Sequence, residues 1–218
     1  MEDFFQKLME LGGPLLLGAG TTVAITIASL LVAIVLGLSL ALIRLLGILP
    51  VNWLISTYVE IFRNTPVLAQ IFIIYFSLPY LGINIGPFPA AVIGLGLNGG
   101  AVLCEVFRAG LNAIHHGQRE AALAVGMTPW MSLRYIMLPQ TWRITLPPLG
   151  NYAIALLKDT AVVSAIAAPE IMFWARNLVT STFQTTFVYI LAALIYFCLS
   201  FPLARLVEQF ERRQRAWQ

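Results

Sequence analysis

The sequence predicts an all-α integral membrane protein with five transmembrane helices and a polar loop that folds as a helix-turn-helix. Of the 218 residues, 59% are hydrophobic and 11% are charged, whereas soluble domains carry about 25% charged residues. Several apolar segments reach the length of about 20 residues that a helix needs to cross a bilayer. We therefore expect residues 1–218 to form a single transmembrane domain, and a soluble fold is excluded.

Five apolar segments are long enough to cross the bilayer. The first is expected to open at the capping residues Thr21 and Thr22, and the second is interrupted by Pro66, which cannot donate a backbone hydrogen bond. We expect residues 53–64 at the cytosolic interface and residues 66–80 at greater depth. The predicted spans are residues 21–46, 52–81, 88–111, 148–166 and 185–205.

The distribution of basic residues sets the predicted orientation, because cytosolic loops carry an excess of Lys and Arg. Lys7 and Arg176 fall on one side of the membrane. Nine arginines fall on the other: Arg44, Arg108, Arg119, Arg134, Arg143, Arg205, Arg212, Arg213 and Arg215. The second side is therefore expected to be the cytosol, with the N-terminus outside, the polar loop inside and the C-terminus inside.

The polar loop, residues 112–139, has the pattern of two short helices. Residues 118–125 favour a helix, and Gly126 suits the left-handed position that ends one. Thr128 followed by Pro129 is typical of the start of a second helix, which we expect to stop before Pro139.

The first helix of the loop carries two small side chains that would let another protein pack closely against it. Ala121 and Ala122 present almost no side chain, so another protein could approach closely there. Glu120 is expected near the helix N-terminus, where the helix dipole favours a carboxylate. The alternative interpretation is an ordinary amphipathic loop on the membrane surface.

Seven residues of the loop have a longer, specific spacing: Glu120, Ala121, Ala122, Gly126, Ile136, Leu138 and Pro139. This spacing resembles, without a gap, the signature loop of permease subunits of bacterial ABC importers. The resemblance implies a type I ABC importer fold. It also implies that the loop is a coupling element, which docks into a groove of an ATP-binding subunit and transmits its motion.

Further segments resemble one branch of that family, the polar amino acid uptake permeases of the histidine, arginine, glutamine and glutamate importer type. They are residues 62–66, 105–110, 117–122 and 157–160. The chain departs from the branch at Ala161 and Val162, where members commonly have Ser and Leu. That departure bears on substrate choice.

Lys158 and Asp159 place two charges in the fourth predicted span. A charge at the centre of a membrane helix costs about 2.5–3.5 kcal/mol on insertion scales, and neighbours in sequence do not face each other on a helix. One interpretation is an interhelical ion pair with Glu60, Arg63 or Glu105. We favour a substrate site in which Lys158 meets a carboxylate and Asp159 an ammonium or polar side chain, because charges within the membrane usually mark functional sites.

Weaker candidates for the substrate site lie near Pro66. Glu60 and Arg63 are one helical turn apart, so a local ion pair is the favoured interpretation for them. Other polar side chains lie next to Pro66, where a backbone carbonyl group lacks its usual N–H donor. Asn98 is either a packing residue or a pocket residue. These further candidates are Asn64, Thr65, Gln70 and Asn98.

Other polar features have modest interpretations. Residues 169–182 are expected to form a short outer helix, either a lid on the bundle or a contact for a solute-binding protein. His115 and His116 are expected to be solvated, because adjacent histidines without further ligands do not make a metal site. Cys104 and Cys198 lie in apolar segments and are expected to be free.

The expected partners follow from the resemblance and from one missing motif. The chain has no G-x-x-x-x-G-K-[ST] phosphate-binding loop, so we expect no cofactor on it, with ATP and Mg²⁺ on a dimer of ATP-binding cassette subunits. The other expected partners are a second permease chain, an extracytoplasmic solute-binding protein, an amino acid and membrane lipid. No basic run precedes residue 205, so nucleic acid is not expected.

The predicted function is therefore amino acid import across the bacterial inner membrane by a permease subunit that is not itself an enzyme. Import of another small organic ion or a peptide is the alternative. An independent channel or secondary transporter is disfavoured, because the chain shows no internal inverted repeat.

Overall fold

The computed structural model describes residues 2–215, without the side chains of residues 2–10, 116 and 213–215. Expectations for Lys7, His116, Arg213 and Arg215 concern side chains outside that described part. The α-helices are α1 (Glu2–Arg44), α2 (Leu49–Asn64), α3 (Val67–Ser77), α4 (Pro87–Asn112), α5 (His116–Ala124), α6 (Pro129–Met131), α7 (Leu138–Asp159), α8 (Ile171–Thr182) and α9 (Thr185–Arg215). Leu78–Leu81 and Thr160–Ile166 are 3₁₀-helical, and Ser132–Met137 is π-helical.

The described residues contain four continuous helical runs that are long and apolar enough to cross a membrane: Leu11–Arg44, Pro87–Asn112, Pro129–Ile166 and Thr185–Arg212. A fifth candidate is the pair Leu49–Asn64 and Val67–Leu81, whose axes meet at 106°. The all-α membrane architecture is as predicted, and the interruption falls at Pro66. The size of the angle between the two helices could not be predicted from the sequence.

The first span does not open at Thr21 and Thr22, because α1 is already helical from Glu2. Thr22 is fully buried within it. The glycines that suggested a break instead allow a close approach: a Cβ atom at Gly18 would lie 2.8 Å from the backbone nitrogen of Ile171. Packing against α8 therefore outweighs the local helix-breaking signal.

The fourth span also begins earlier than expected, since Pro147 and Pro148 lie inside α7 and do not start it. Thr141 and Thr145 are buried on this helix, and they pack against Gly110 of α4. Tertiary packing thus holds the helix together across two positions that lack a backbone N–H group.

The fifth span begins as predicted, but α9 continues to Arg215. Beyond the apolar part, Glu208 accepts hydrogen bonds from Arg205 at 2.8 Å and from Arg212 at 2.6 Å. Pairs three and four residues apart support a helix in water, which explains the extension.

Small residues bring α1 and α4 together along their length. A Cβ atom at Gly37 would lie 2.8 Å from Cβ of Leu103 and 2.9 Å from the backbone nitrogen of Cys104. Gly96 and Gly100 of α4 similarly contact Val32 and Leu36 of α1. In lipid, where helices gain no hydrophobic driving force, such close backbone contacts are the main source of helix association.

Glu170 anchors the short helix α8, and its buried role was missed in the sequence. The carboxylate is fully buried and accepts hydrogen bonds from the backbone N–H groups of Met172 at 2.9 Å and Phe173 at 2.7 Å. The hydroxyl of Tyr196, on α9, donates a third at 2.6 Å. Glu170 thus caps α8 and joins it to α9.

The glycine contacts predict opposite effects for two matched substitutions in α1. Gly37→Ala places a methyl group against backbone atoms of α4, and overpacking of this kind costs about 1–3 kcal/mol. We expect the melting temperature in detergent to fall by about 2–10 °C, measured by a thermal shift assay.

Gly20→Ala is the control, because nothing lies within 4 Å of a Cβ atom built at Gly20. Alanine favours a helix over glycine by about 1 kcal/mol, so the melting temperature should stay level or rise slightly. Equal melting temperatures for the two variants would contradict a tight α1–α4 contact.

Candidate functional site

The corner of the polar loop has the geometry that its sequence predicted. Gly126 has a φ of +84°, the left-handed conformation that glycine adopts most easily. Its N–H group donates to the carbonyl oxygen of Leu123 at 3.0 Å, and the N–H group of Met127 donates to that of Ala122 at 3.1 Å. This pair of bonds is the Schellman motif, which ends a helix and fixes the direction of the following chain.

The helix after the corner also starts where predicted. The hydroxyl oxygen of Thr128 accepts a hydrogen bond from the N–H group of Met131 at 3.2 Å, and Pro129 occupies the first helical position. The local sequence signals therefore locate both the end of α5 and the start of α6.

Two details of α5 differ from expectation. The helix begins at His116, because Nδ1 of His115 caps it by accepting from the N–H group of Gly117 at 3.2 Å. Glu120 therefore lies beyond the first turn, where the dipole effect has faded. Of the two alanines only Ala121 is exposed, whereas Ala122 is 5% exposed and packs inside the chain.

The expected stop before Pro139 is wrong, since α6, the π-helical segment and α7 form one continuous helical run. In the π segment, the N–H group of Leu138 bonds to the carbonyl oxygen of Leu133, five residues back. Pro139 follows where the run returns to α-helical geometry, so its missing N–H group falls at a change of hydrogen-bond register.

Large apolar side chains protrude from this loop. Val125 is 76% exposed and Trp130 is 62% exposed. We call the whole set the loop surface: Leu123, Val125, Trp130, Met131 and Tyr135. Ile136 and Leu138 are only half-buried, on the side of the run that leads into α7. A cluster of exposed apolar residues on a polar loop is typical of a protein-binding surface.

Lys158 and Asp159 occupy the last turn of α7, where the run becomes 3₁₀-helical. Both are exposed, and within the described part of the chain neither makes a hydrogen bond or an ion pair. Lys158 lines an apolar groove of about 560 Å³ with residues of α8 and α9, among them Tyr189, Tyr196 and Ser200. Asp159 is not part of that lining, although it lies close enough to interact electrostatically with Lys158.

The ion-pair partner proposed on α4 is already engaged elsewhere. Oε1 of Glu105 lies 2.6 Å from Nη1 of Arg44, and Oε2 lies 2.6 Å from Nη2 of Arg108. The Arg108 pair was foreseeable, since the two residues are three apart on one helix. The Arg44 pair joins residues 61 apart in sequence, and only the fold brings them together.

The expected local pair between Glu60 and Arg63 is wrong. Oε2 of Glu60 instead accepts a hydrogen bond from Nδ2 of Asn64 at 2.7 Å, and the same amide nitrogen donates to the Glu60 carbonyl oxygen at 2.8 Å. Glu60 pairs with Asn64 and not with Arg63, because the one amide group of Asn64 donates both to the carboxylate and to a carbonyl group at the end of α2. Both Glu60 and Arg63 line a polar cavity of about 290 Å³ beside Arg44 and Glu105.

The corner at Pro66 explains three of the other candidates. The carbonyl oxygen of Phe62 lies four residues before Pro66, which has no N–H group to offer it. Nε2 of Gln70 and Nδ2 of Asn98 donate to this oxygen instead, at 2.9 and 2.8 Å. Asn98 lies on α4, so a bond to the bend also ties the broken span to the bundle.

Thr65 completes the corner. Its hydroxyl group donates to the carbonyl oxygen of Ile61 at 2.7 Å and accepts from Nε2 of Gln70 at 2.6 Å. Oε1 of Gln70 in turn accepts from Asn98 at 3.1 Å. These three polar side chains therefore hold the shape of the bend.

The described residues contain no group of three or more His, Cys, Asp or Glu side chains placed to hold a metal ion. Cys104 is buried and Cys198 is exposed, and both are free thiols.

Known proteins are similar to this chain in both sequence and fold. A model of the binding-protein-dependent transport system inner membrane component family matches residues 33–216. The L-cystine transport system permease protein TcyB of Bacillus subtilis is 38% identical, over 88% of this chain and 82% of its own length. The glutamine transport system permease protein GlnP of Escherichia coli is 34% identical, over 93% and 94%.

A solved structure described as an amino acid ABC transporter with histidines agrees in three dimensions. It superposes with a TM-score of 0.88 at 35% identity, and the match covers 96% of this chain and 98% of that one. The family model matches most of the chain, and two relatives are more than 30% identical to it, so its family can be assigned. The chain belongs to the family of binding-protein-dependent transport system inner membrane components.

Proposed function

We propose that this chain is the membrane-spanning subunit of an ABC importer that carries a polar amino acid into the cytosol. The complete coupling-loop spacing, on an exposed corner closed by two backbone hydrogen bonds, is the observation that carries the proposal. The permease relatives, named for amino acids, support the substrate class. A panel of amino acids, tested for uptake by the reconstituted complex, would identify the cargo.

ATP acts on another chain in this proposal. The 218 residues contain no phosphate-binding loop, so ATP and Mg²⁺ belong to a dimer of ATP-binding cassette subunits. A single five-span chain supplies half of a translocation pathway, and a second copy or a similar permease supplies the other half. In this proposal the positive side faces the cytosol of a bacterium. The helix α8 then lies on the outer side, either as a lid on the bundle or as a contact for a solute-binding protein.

The loop surface is the proposed docking site for the ATP-binding subunit. Its side chains protrude without supporting the chain's own core, and Gly126 fixes their direction. Because residues 129–166 form one continuous helical run, movement of the loop is transmitted along α7 to Lys158. The run therefore links the site of ATP use on the partner to the groove.

Lys158 is the proposed anchor for the substrate carboxylate. Lys158 lines an apolar groove and makes no ion pair within the described part of the chain, so its ammonium group is available to a ligand. A charge within a membrane segment is stabilised by a partner of opposite charge, and a substrate carboxylate would be such a partner. Asp159, on the neighbouring face of the same turn, is proposed to meet the substrate ammonium or a polar side chain. Glu60 and Arg63 line a separate polar cavity, and Asn64 donates a hydrogen bond to Glu60. These three residues are proposed to meet the substrate after it leaves Lys158.

Two substitutions test the docking site. Val125→Glu puts a charge on the loop surface, and Gly126→Val forces a β-branched side chain into a left-handed conformation that such residues strongly disfavour. Both should prevent copurification of the ATP-binding subunit, while the variant chains remain folded because nothing packs on either position. Pull-down followed by size-exclusion chromatography measures both properties.

Tyr80→Glu is the matched control, since Tyr80 is exposed but lies after α3, away from the loop. This variant should retain the ATP-binding subunit. Retention by Val125→Glu as well would overturn the proposed docking site.

Lys158→Ala tests the substrate anchor. We expect uptake by the reconstituted complex to fall by at least about tenfold, because a charge-assisted hydrogen bond is lost. The complex should assemble normally, since Lys158 makes no hydrogen bond within the described chain. Lys158→Arg, which keeps the charge, should retain part of the uptake.

Normal uptake by Lys158→Ala would refute the carboxylate anchor without affecting the docking proposal. The two proposals can thus fail separately.

A further inference from the structure

A second, smaller cleft lies where α1 ends and α2 begins, against the end of α4. Its volume is about 290 Å³, and its polar lining comprises Arg44, Arg108, Asn52 and Asn112. Three apolar side chains complete the lining, and none of these described lining residues is an acid. The cleft shares no lining residue with the groove at Lys158.

The charges around the cleft do not cancel. Glu105 is the carboxylate that both arginines contact, with one oxygen for Arg44 and the other for Arg108. On the far side of the two arginines, the neighbouring cavity adds Glu60 and Arg63, one charge of each sign. The described residues near the cleft thus carry a net charge of one positive unit, which favours an anion.

The chain segment beside the cleft is apolar: Leu45 lines the cleft, and the residues between it and the first turns of α2 follow it in sequence. Leu45, Leu46 and Ile48, in the connection between α1 and α2, are all exposed. Leu49 is 82% exposed and Trp53 is 69% exposed at the start of α2. Exposed leucine and tryptophan side chains beside arginine are typical of the boundary between acyl chains and headgroups. The cleft therefore opens at headgroup depth.

We propose that this cleft binds the headgroup of an anionic phospholipid. Arg44 and Arg108 hold the phosphate, which guanidinium groups bind strongly and in fixed geometry. The amides of Asn52 and Asn112 hydrogen-bond to the rest of the headgroup, and the acyl chains lie over Leu49 and Trp53. Basic pockets between membrane helices on the cytosolic side bind anionic headgroups in the same way.

The charge balance also selects among lipids. A zwitterionic lipid offers the same phosphate, but its positive group would meet a cleft that already has an excess positive charge. Phosphatidylglycerol has no such group. We therefore expect selectivity for phosphatidylglycerol over phosphatidylcholine with matched acyl chains.

Native mass spectrometry of the full-length chain in a neutral detergent tests the proposal, because it counts bound lipids and chain copies together. Phosphatidylglycerol should bind in preference to phosphatidylcholine. Arg108→Gln removes one of the two proposed phosphate contacts and should weaken phosphatidylglycerol binding by about tenfold or more. The variant should still fold, because Arg108 is partly exposed and the Arg44–Glu105 pair stays in place.

Asn112→Asp provides a second, independent variant. It adds a negative charge to the exposed lining without removing either arginine, so it should weaken binding of phosphatidylglycerol even if Arg108→Gln folds poorly. Arg205→Gln is the control: it removes one charge from α9 outside the cleft and should leave binding unchanged.

Four results would overturn the proposal. Equal binding of the two lipids would remove the role of charge, and equal weakening by Arg205→Gln would indicate diffuse attraction to the surface. Displacement of the lipid by millimolar inorganic phosphate would indicate a small-anion site. Lipid adducts on the monomer but not on the dimer would indicate that a second copy covers the cleft.

Discussion

The close contact between α1 and α4 is the constraint on which the other helices depend. Gly37 and Gly100 let the two backbones approach so closely that a methyl group at either position would meet a neighbour's atoms. Once α4 is held there, its remaining faces position other elements. Asn98 reaches the corner at Pro66, Glu105 reaches Arg44, and Gly110 receives α7.

The bend in the second span shows how a membrane helix can break within a bundle. Proline removes one hydrogen bond from the carbonyl oxygen of Phe62, and an unsatisfied backbone group within a membrane costs several kcal/mol. Two amides, from Gln70 and Asn98, supply that oxygen with donors. The bend is thus stable because polar side chains from two helices converge on one atom.

The continuous helical run from the loop to Lys158 connects the two regions that are proposed to be functional. The loop surface lies at its start, and the groove lies near its end. A π-helical segment sits between them, where side chains change direction relative to an ordinary α-helix. A continuous helical connection suits the proposed role, in which movement at the loop surface changes access to the groove at Lys158.

The sequence alone determined the membrane class and the loop corner, because these depend on local composition and on residues such as Gly126 and Thr128 that have strong conformational preferences. Through its spacing, it also indicated which loop residues are proposed to couple to the ATP-binding subunit. Only the tertiary structure decided what the polar side chains contact. Glu60 binds Asn64 and not Arg63, Glu105 binds Arg44, and α7 continues through its prolines. Those outcomes depend on atoms far apart in sequence, whose proximity no local pattern encodes.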